Sequence, residues 1–354
     1  MIHSVEIKGF RSIRDARLEL RPLNVLIGPN QSGKTNFLDA ISYAASFARK
    51  ELFNANRKAK GRYQNLFWAG SDQQEFRIRL NDDPSGTSHH GFEVEGSKNR
   101  LIESPPEDDS IFHRWGSIGS PDGIDPFVDQ VKSITIYPGF DLNARWTHEG
   151  LDGPSSRLKP NLGLIVTRLS PSGDDLISFL MFMSQDAENW KHYQDVIDIS
   201  FPEFAGLKIL PSTRVGPEPM WLDRRFPDRP FTLEELSSGT LNYLAYVAVL
   251  LAPDPPALIG IEEPESHLHP DLIRRLVSVL EDASESRQII VTTHSDTLLS
   301  YLEDPADVVL VQNGSEGSTY TRPPKEDLVM WLEKYHLGEL RETGVLAGYA
   351  PQEQ

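Results

Sequence analysis

The residues Gly28 to Thr35, GPNQSGKT, have the types and the spacing of a phosphate-binding loop. They fit the pattern G-x-x-x-x-G-K-[ST], with the mostly apolar run Leu23–Ile27 before them and a helix-like pattern after them. The glycines let the backbone fold tightly around an anion, and the N–H groups of the loop and of the helix start point at the phosphates. The pattern predicts a nucleoside triphosphate ligand, with Lys34 on the β- and γ-phosphates and the Thr35 hydroxyl on Mg²⁺.

A pair of carboxylates follows an apolar run in the segment IGIEEPESHLHP, Ile259–Pro270. At the end of a strand, Glu262 could hold Mg²⁺ through water and Glu263 could polarise an attacking water. The alternative is an acidic turn after a core strand. The phosphate loop favours the functional interpretation, because the two features together form a hydrolytic site.

Two further segments could complete such a site. Leu236–Thr240, LSSGT, places Ser–Ser–Gly at a predicted helix start, where backbone N–H groups and a hydroxyl can meet an anion. Ile289–Ser295, IIVTTHS, is a predicted strand that delivers His294 to the edge of a sheet outside which ligands of open α/β sheets bind. Each segment alone is a weak signal, since helix caps rich in serine and structural histidines are common.

The elements that must position these residues follow from the hydrophobic pattern. Met1–Leu20 alternates apolar and polar residues, which predicts a hairpin of two strands. Strands alternating with helices in the rest of the chain argue for a sheet covered on both faces. The other predicted strands are Leu23–Ile27, Phe92–Val94, Leu101–Ile102, Leu207–Leu210, Leu258–Ile261, Gln288–Thr292, Val308–Gln312 and Ser318–Arg322. The predicted helices are Asn36–Arg49, Asp174–Asp198, Leu272–Leu280 and a terminal segment.

Composition limits the class of protein. The chain has 354 residues, of which 38% are hydrophobic and 25% are charged, as in a soluble globular protein. Its net charge of −17 should repel nucleic acid overall, so any DNA contact needs a local patch. The absence of cysteine excludes disulfides and thiolate chemistry. No apolar run reaches the roughly 20 residues that cross a bilayer, so we expect a cytoplasmic protein without membrane contact.

In the order phosphate loop, LSSGT, EEPE and TTHS, these motifs resemble those of the ABC ATPases. The likeness is greater to the SMC/RecF branch and its stand-alone AAA-family relatives, which are related to the ATPase part of overcoming-lysogenization-defect nucleases. VEIKGFRSIRDARLEL is similar to the opening hairpin of that branch, and LSPSGDDLISFL with FPEFAGLKI is similar to its helical subdomain. EEPESHLHP and the closing LEKYHLGELRETGVLAG also resemble family segments. The likeness covers most of the chain, loosely between Leu80 and Lys132.

The resemblance implies an α/β fold, namely the ABC-type head of a P-loop NTPase. Such a head has a mixed, largely parallel central sheet, an N-terminal antiparallel β-subdomain and an inserted helical subdomain. The span between the motifs lacks heptads, so we expect no long coiled coil. We expect one head over residues 1–354. Its parts would be an N-terminal lobe over 1–80 with the phosphate loop, an insertion over 81–235, and a C-terminal lobe over 236–354.

The resemblance also implies roles for particular residues. In that family two heads enclose two ATP molecules, each between the phosphate loop of one head and the signature motif of the other. Ser237 and Gly239 would contact the γ-phosphate held by the partner head. Glu263 would be the general base, Glu262 with Thr35 would support Mg²⁺, and His294 would sense the γ-phosphate. The nucleotide would lie on Gly28, Pro29, Asn30, Gln31, Ser32, Gly33, Lys34, Thr35 and Asn36. Arg11 in GFRSI would reach the phosphates, although an ordinary surface arginine is an equal alternative.

The chain departs from the family pattern at several positions. The signature reads LSSGT rather than LSGGQ, so transporter-like behaviour is not implied. Glu262 stands where the family has aspartate, one methylene longer, which would alter Mg²⁺ geometry or slow turnover. Gln64 is a poor match to the glutamine loop. The 60 residues after His294 leave little room for a fused nuclease domain.

Partner surfaces are less clearly marked. The stretch Arg49–Arg62 has a net positive charge in a chain whose net charge is negative, so it could contact DNA or an acidic partner. The alternative is a solvated helix end and loop. Its basic residues, against a single Glu51, are Arg49, Lys50, Arg57, Lys58, Lys60 and Arg62. His267 and His269 near Glu265 do not form a zinc site without a third ligand.

The sequence leaves two functions open. The first is an ATP-hydrolysing switch that dimerises around ATP and acts on a DNA-repair or phage-defence partner. The second is a slow-turnover regulatory module that holds ATP and scaffolds a separate effector nuclease. A GTPase would carry an N-K-x-D motif, which is absent. A small-molecule kinase would not need LSSGT, and a transporter subunit remains a weaker alternative.

Overall fold

The chain is described from a computed structural model. The structure describes residues 1–49, 51, 66–68, 70, 75–82, 91–97, 126–140, 142, 166–212 and 216–324. Several predictions therefore lie outside the described residues. They are the strand Leu101–Ile102, the candidate Gln64, the terminal helical segment, and all of the stretch Arg49–Arg62 except its first and third residues.

The secondary structure of the described residues alternates strands and helices. The strands are β1 Ser4–Phe10, β2 Ile13–Glu19, β3 Leu23–Ile27, β4 Glu75–Asn81, β5 Gly91–Ser97, β6 Thr135–Tyr137, β7 Phe204–Ser212, β8 Gly216–Asp223, β9 Phe231–Thr232, β10 Leu258–Glu262, β11 Gln288–Thr293, β12 Val308–Gly314 and β13 Gly317–Thr321. The helices are α1 Lys34–Ala48, α2 Pro126–Ser133, α3 Leu176–Met183, α4 Ala187–Ser200, α5 Ser238–Leu250, α6 Pro270–Ser284 and α7 Asp296–Leu299. Short 3₁₀ turns cover Leu233–Glu235 and Pro305–Asp307.

The chain divides into two compact units, each built from discontinuous segments. Unit 1 comprises Met1–Ile136, Pro256–Glu262 and Ser286–Gln354. Unit 2 comprises Tyr137–Pro255 and Glu263–Glu285. The chain thus passes between the units at Glu262 and Glu263, the two predicted site carboxylates. The expected lobes 1–80, 81–235 and 236–354 stay a prediction.

Unit 1 contains a six-stranded sheet in the order β13-β12-β3-β11-β10-β6. Strands β12, β3, β11 and β10 are parallel neighbours, whereas β13 pairs antiparallel with β12. The predicted mixed, largely parallel sheet is confirmed. β3 is buried along its whole length, as expected for an interior strand of a parallel sheet.

The predicted N-terminal antiparallel β-subdomain is also confirmed in unit 1. Strands β1 and β2 form the expected hairpin within a four-stranded sheet of order β2-β1-β4-β5. Helix α1 presents Phe37, Leu38 and Ile41 to the core shared with these strands, and all three side chains are fully buried. Burial of each contributes roughly 1.5–3 kcal/mol, which anchors the helix that begins at the phosphate loop.

Unit 2 holds helices α3 to α6 and the three-stranded sheet β7-β8-β9. Helix α5 is buried at every position from Leu241 to Leu250 and is the apolar centre of this unit. The predicted helix Asp174–Asp198 is two helices, because Asp186 caps the start of α4. Its carboxylate accepts hydrogen bonds from the backbone N–H groups of Glu188 and Asn189 at 3.1 and 3.2 Å.

The longest described helices, α1 and α6, have 15 residues each, and no long coiled coil occurs in the described part of the chain. None of the helices that the structure describes is both long enough and apolar enough to cross a membrane.

Candidate functional site

The loop Gly28–Gly33 joins the carboxyl end of β3 to the start of α1. Gln31 and Gly33 have φ angles of 67° and 110°, in the left-handed region. A non-glycine residue rarely adopts such a conformation, and it persists where the surroundings hold it in place. This turn leads directly into the N-terminus of α1, which carries the partial positive charge of the helix dipole.

Two buried side chains of the loop have the chemistry that a phosphate ligand would need. The Lys34 ammonium is buried and donates to the carbonyl oxygens of Gly28 and Pro29 at 2.8 and 3.0 Å, so it stays at the loop. The Ser32 hydroxyl is also buried, and among the described residues it has no hydrogen-bond partner. A buried unpaired hydroxyl costs about 1–3 kcal/mol, and a phosphate oxygen would satisfy it. Thr35, at the second position of α1, is exposed.

The register of the parallel strands brings three parts of the predicted site to one edge of the unit 1 sheet: the phosphate loop, Glu262 and His294. Ile27 of β3 pairs with Thr293 of β11, and Thr292 pairs with Glu262 of β10. The phosphate loop and His294 therefore leave the sheet side by side, with Glu262 on the adjoining strand. His294 is exposed and Glu262 is half-buried.

Glu263 directly follows Glu262 and has a φ of 43°. This is the left-handed region, which costs a non-glycine residue of order 1–3 kcal/mol. Strain of this kind clusters at functional sites, so the outlier at Glu263 supports a functional role for this carboxylate. Glu263 is half-buried at the start of a loop that continues through His267, where φ is 68°.

The predicted signature residues lie in unit 2 at the start of α5. Ser237 is the N-cap: its hydroxyl accepts from the backbone N–H of Thr240 at 3.1 Å and lies 2.8 Å from the Thr240 hydroxyl. Gly239 packs on the loop after Glu263, because a β-carbon there would lie 2.8 Å from the carbonyl oxygen of His267. Ser237 itself is exposed.

Arg11 lies at the turn of the β1–β2 hairpin with a φ of 50°. Its guanidinium pairs with the carboxylate of Asp39 and donates to the Asn36 side chain at 3.4 Å, both on α1. Burial raises the pKa of Asp39 above its ordinary value, and the Arg11 charge opposes that rise. The hairpin turn is thereby bound to the helix that carries Lys34, and Arg11 lies beside the predicted nucleotide residue Asn36.

Other candidates have structural partners. Arg49 donates to the carbonyl oxygens of Lys132 and Ile134 at 2.8 and 3.1 Å, which ties α1 to the end of α2. His269 caps α6 and accepts from the backbone N–H of Asp271 at 3.4 Å. Within the described ranges, no three His, Asp or Glu side chains are grouped so that they could hold a metal ion.

Sequence reasoning missed several residues that contact the phosphate loop. Ser12 accepts from Asn36 at 2.6 Å, and Tyr320 donates to the carbonyl oxygen of Gly33 at 2.9 Å. Asn313 donates to the carbonyl oxygen of Gln31 at 3.3 Å. No local motif marks the residues of β12 and β13, because their importance depends on pairing across nearly 300 residues of chain.

The fold and the phosphate loop define an α/β P-loop ATPase head of the SMC/RecF-like ABC type. The chain belongs to the family described as "AAA domain, putative AbiEii toxin, Type IV TA system", whose model matches residues 23–300. The match includes every predicted site residue except Arg11.

The matches to curated relatives cover shorter parts of the chain than the family model does. The "DNA double-strand break repair Rad50 ATPase" of Methanopyrus kandleri is 32% identical over 83 residues, which is 22% of this chain and 9% of that protein. The "DNA replication and repair protein RecF" of Moorella thermoacetica is 28% identical over 106 residues, which is 29% of this chain and 28% of that protein. The matches thus span less than a third of either relative.

Solved structures match nearly the whole fold. A crystal structure of an Smc head bound to the C-winged helix domain of ScpA has a TM-score of 0.57 and 17% identity, over 94% of this chain and 99% of that one. An Smc head with an extended coiled coil, bound to the C-terminal domain of ScpA derived from Pyrococcus furiosus, has a TM-score of 0.55 and 14% identity, over 94% and 98%. These likenesses show the fold of the head.

Proposed function

We propose that this chain binds ATP with Mg²⁺, hydrolyses it, and uses the cycle to open and close a dimer. The observation that carries the proposal is the strand register, which places the phosphate loop, Glu262 and His294 along one edge of the sheet. Ligands of open α/β sheets bind outside that edge.

Each residue has a distinct task in the proposed site. The buried Lys34 ammonium and the N–H groups at the start of α1 neutralise phosphate charge, and the Ser32 hydroxyl donates to a phosphate oxygen. Thr35 and Glu262 would hold Mg²⁺, which polarises the terminal phosphoryl group when bound. Glu263 accepts a proton from the attacking water, and His294 donates to the γ-phosphate from the adjoining strand.

Dimerisation completes the site in this proposal. Ser237 is exposed at the N-terminus of α5, a position suited to an anion because of the helix dipole and the free N–H groups. The γ-phosphate held by one subunit would then meet Ser237 and Gly239 of the other. ATP would favour the closed dimer, and hydrolysis would release it.

The partner is proposed by analogy. The curated relatives are described as DNA repair and replication proteins, and the matching Smc heads are bound to ScpA domains. We propose a DNA-repair or phage-defence partner, such as a separate nuclease, in the cytoplasm. DNA contact through Arg49–Arg62 is part of the proposal, although the guanidinium of Arg49 itself is hydrogen-bonded to backbone carbonyl oxygens at the end of α2. The link to overcoming-lysogenization-defect nucleases stays a prediction.

The test is the substitution Glu263→Gln, which keeps the shape of the side chain but removes the base. We expect the ATPase rate to fall at least a hundredfold, the low end of what a general base contributes, while ATP with Mg²⁺ shifts the protein from monomer to dimer in size-exclusion chromatography with light scattering. The matched control is Glu285→Gln, an exposed carboxylate at the end of α6. An unchanged rate would rule out Glu263 as the base, and a monomer under every condition would rule out the closed dimer.

A second function is favoured by Glu262. Its side chain is one methylene longer than aspartate, which would hold Mg²⁺ less favourably and slow turnover. The chain would then be an ATP-bound scaffold for an effector. Single-turnover kinetics on Glu262→Asp distinguish the two functions: a faster hydrolysis step supports the scaffold, and a slower step supports the switch.

A further inference from the structure

The hairpin β12–β13 contacts the phosphate loop at several positions, although it follows the loop by nearly 300 residues. A β-carbon at Gly28 would lie 2.1 Å from the carbonyl oxygen of Val311 in β12. A β-carbon at Gly33 would lie 2.2 Å from the hydroxyl oxygen of Ser318 in β13. The two outer glycines of the motif are therefore required by the hairpin as well as by phosphate.

Hydrogen bonds from the same hairpin reach the two loop residues with positive φ. Asn313 donates to the carbonyl oxygen of Gln31 at 3.3 Å, and the Tyr320 hydroxyl donates to that of Gly33 at 2.9 Å. The Gly33 carbonyl also accepts the first hydrogen bond of α1, from Phe37 at 3.1 Å. Tyr320 thus binds the backbone at the residue where the loop ends and α1 begins.

Further contacts join the same hairpin to α1 and to the turn of the β1–β2 hairpin. The Tyr320 ring packs on the Phe37 ring with centroids 4.9 Å apart. The Ser318 hydroxyl lies 2.7 Å from that of Ser12, which in turn accepts from Asn36 at 2.6 Å. Burial raises the pKa of Tyr320 further above its usual value, so its hydroxyl remains a donor at every physiological pH.

A strained loop keeps its shape only where its surroundings over-determine it. The N–H groups of the loop must stay open for phosphate, and the hairpin leaves them open because it binds the loop through the carbonyl oxygens of Gln31 and Gly33. We infer that Tyr320 and Asn313 are positioning residues: they hold the carbonyls of Gly33 and Gln31 so that the N–H groups of the loop are arranged for phosphate before nucleotide arrives. This inference rests on the proposed nucleotide site.

The test is Tyr320→Phe, which removes the hydroxyl and keeps the ring on Phe37. The loss of one restraining hydrogen bond should weaken MgADP binding, measured by calorimetry, by about threefold to tenfold. The same variant should show a raised KM for ATP with kcat at saturation within about twofold, because the hydroxyl touches no reacting atom. A purely structural role would instead lower the unfolding temperature of the free protein and leave the MgADP affinity unchanged.

One further substitution and two control variants make the test independent of folding. Asn313→Ala changes an exposed side chain, so the protein should fold normally and bind MgADP about threefold more weakly. Ser315→Ala in the same turn, also exposed, is the matched control and should bind as the wild type does. Tyr193→Phe is the control for tyrosine, since its buried hydroxyl donates to the Leu244 carbonyl at 3.1 Å in unit 2.

Thermodynamic linkage between nucleotide binding and the hairpin β12–β13 allows a second test, which measures the effect of nucleotide on the hairpin. If the hairpin arranges the loop, bound nucleotide must stabilise the hairpin. MgADP should therefore slow hydrogen exchange over residues 308–321 of the wild type, and less so in Tyr320→Phe.

The outcomes separate the two proposals. A wild type that binds neither MgADP nor MgATP removes the proposed function and this inference with it. A wild type that binds, with Tyr320→Phe and Asn313→Ala at wild-type affinity, overturns the positioning role alone.

Discussion

The α-carbon of Gly239 faces the carbonyl oxygen of His267 so closely that a β-carbon would lie 2.8 Å from it. Gly239 is in the first turn of α5, next to the exposed Ser237, and His267 is in the loop that begins at Glu263. The predicted signature and the loop after the predicted base are therefore packed together within unit 2.

Gly239→Ala should destabilise the protein even though alanine is the better helix former. Helix propensity favours alanine by roughly 0.5–1 kcal/mol, but the new methyl group would overlap a backbone oxygen, which costs about 1–3 kcal/mol. We expect a net loss of about 1 kcal/mol in urea unfolding and slower ATP turnover. Ser238→Ala, the neighbouring control, should stay within about 0.5 kcal/mol of the wild type. A stabilised Gly239→Ala protein would contradict the close contact.

Gly33→Ala should destabilise the protein more than Gly239→Ala does, because alanine at this position has both an unfavourable backbone conformation and a steric clash. The φ of 110° costs an alanine about 1–2 kcal/mol, and the clash with Ser318 adds to that. We expect a loss of about 3 kcal/mol in stability and no measurable nucleotide binding. The double variant Gly33→Ala with Ser318→Gly should recover the stability that the clash removes. It should not recover the stability that the strained backbone removes. Recovery of full stability would show that the left-handed backbone costs nothing.

Arg322→Met tests a polar network at the opposite edge of the unit 1 sheet. Arg322 donates to the side-chain oxygen of the fully buried Asn24 at 2.7 Å and to the carbonyl oxygens of Glu19 and Ala306. Burial lowers the pKa of Arg322 to about 10, which offsets part of the benefit of these bonds. We expect a net loss of about 2 kcal/mol in urea unfolding, the usual cost of removing hydrogen bonds from a charged donor.

The control for that network is Arg229→Met. Arg229 is an exposed arginine paired with Glu235 at 2.7 Å, and such surface pairs contribute about 0–1 kcal/mol. Equal losses for the two variants would contradict a special role for Arg322.

Arg11→Gln tests the link between the hairpin turn and α1 through pH. The pKa of Asp39 is raised in the fold, so its contribution to stability is greatest at low pH and is lost as pH rises through the folded pKa. Removing the Arg11 charge should raise that pKa further, so the loss becomes larger and extends to higher pH. Carboxyl titration by NMR and urea unfolding across the acidic range both measure this change.

Comparison with the wild type is needed in that titration, because burial also raises the pKa of Asp307. Asp307 pairs with Arg21 rather than with Arg11, so it should titrate equally in both proteins. Arg14→Gln on the same hairpin is the control, since Arg14 pairs with the exposed Glu316. An Asp39 titration that Arg11→Gln leaves unmoved would contradict the ion pair.

Local sequence predicted those parts of the fold whose signals are short-range. The alternation in Met1–Leu20 predicted the hairpin β1–β2, and the pattern after Gly33 predicted α1. The single helix predicted over Asp174–Asp198 was wrong, because apolar periodicity continues across the break and the cap at Asp186 gives only a weak signal.

The amino-acid sequence by itself determined which groups are available: a glycine-rich anion loop with Lys34, a pair of carboxylates, and a histidine after a strand. Only the tertiary structure decided how they are held. The parallel register sets Glu262 beside Thr292, and the hairpin β12–β13 brings Tyr320 to Gly33. Hydrogen bonding and close packing between segments that are distant in the sequence depend on strand order, and strand order has no local signature.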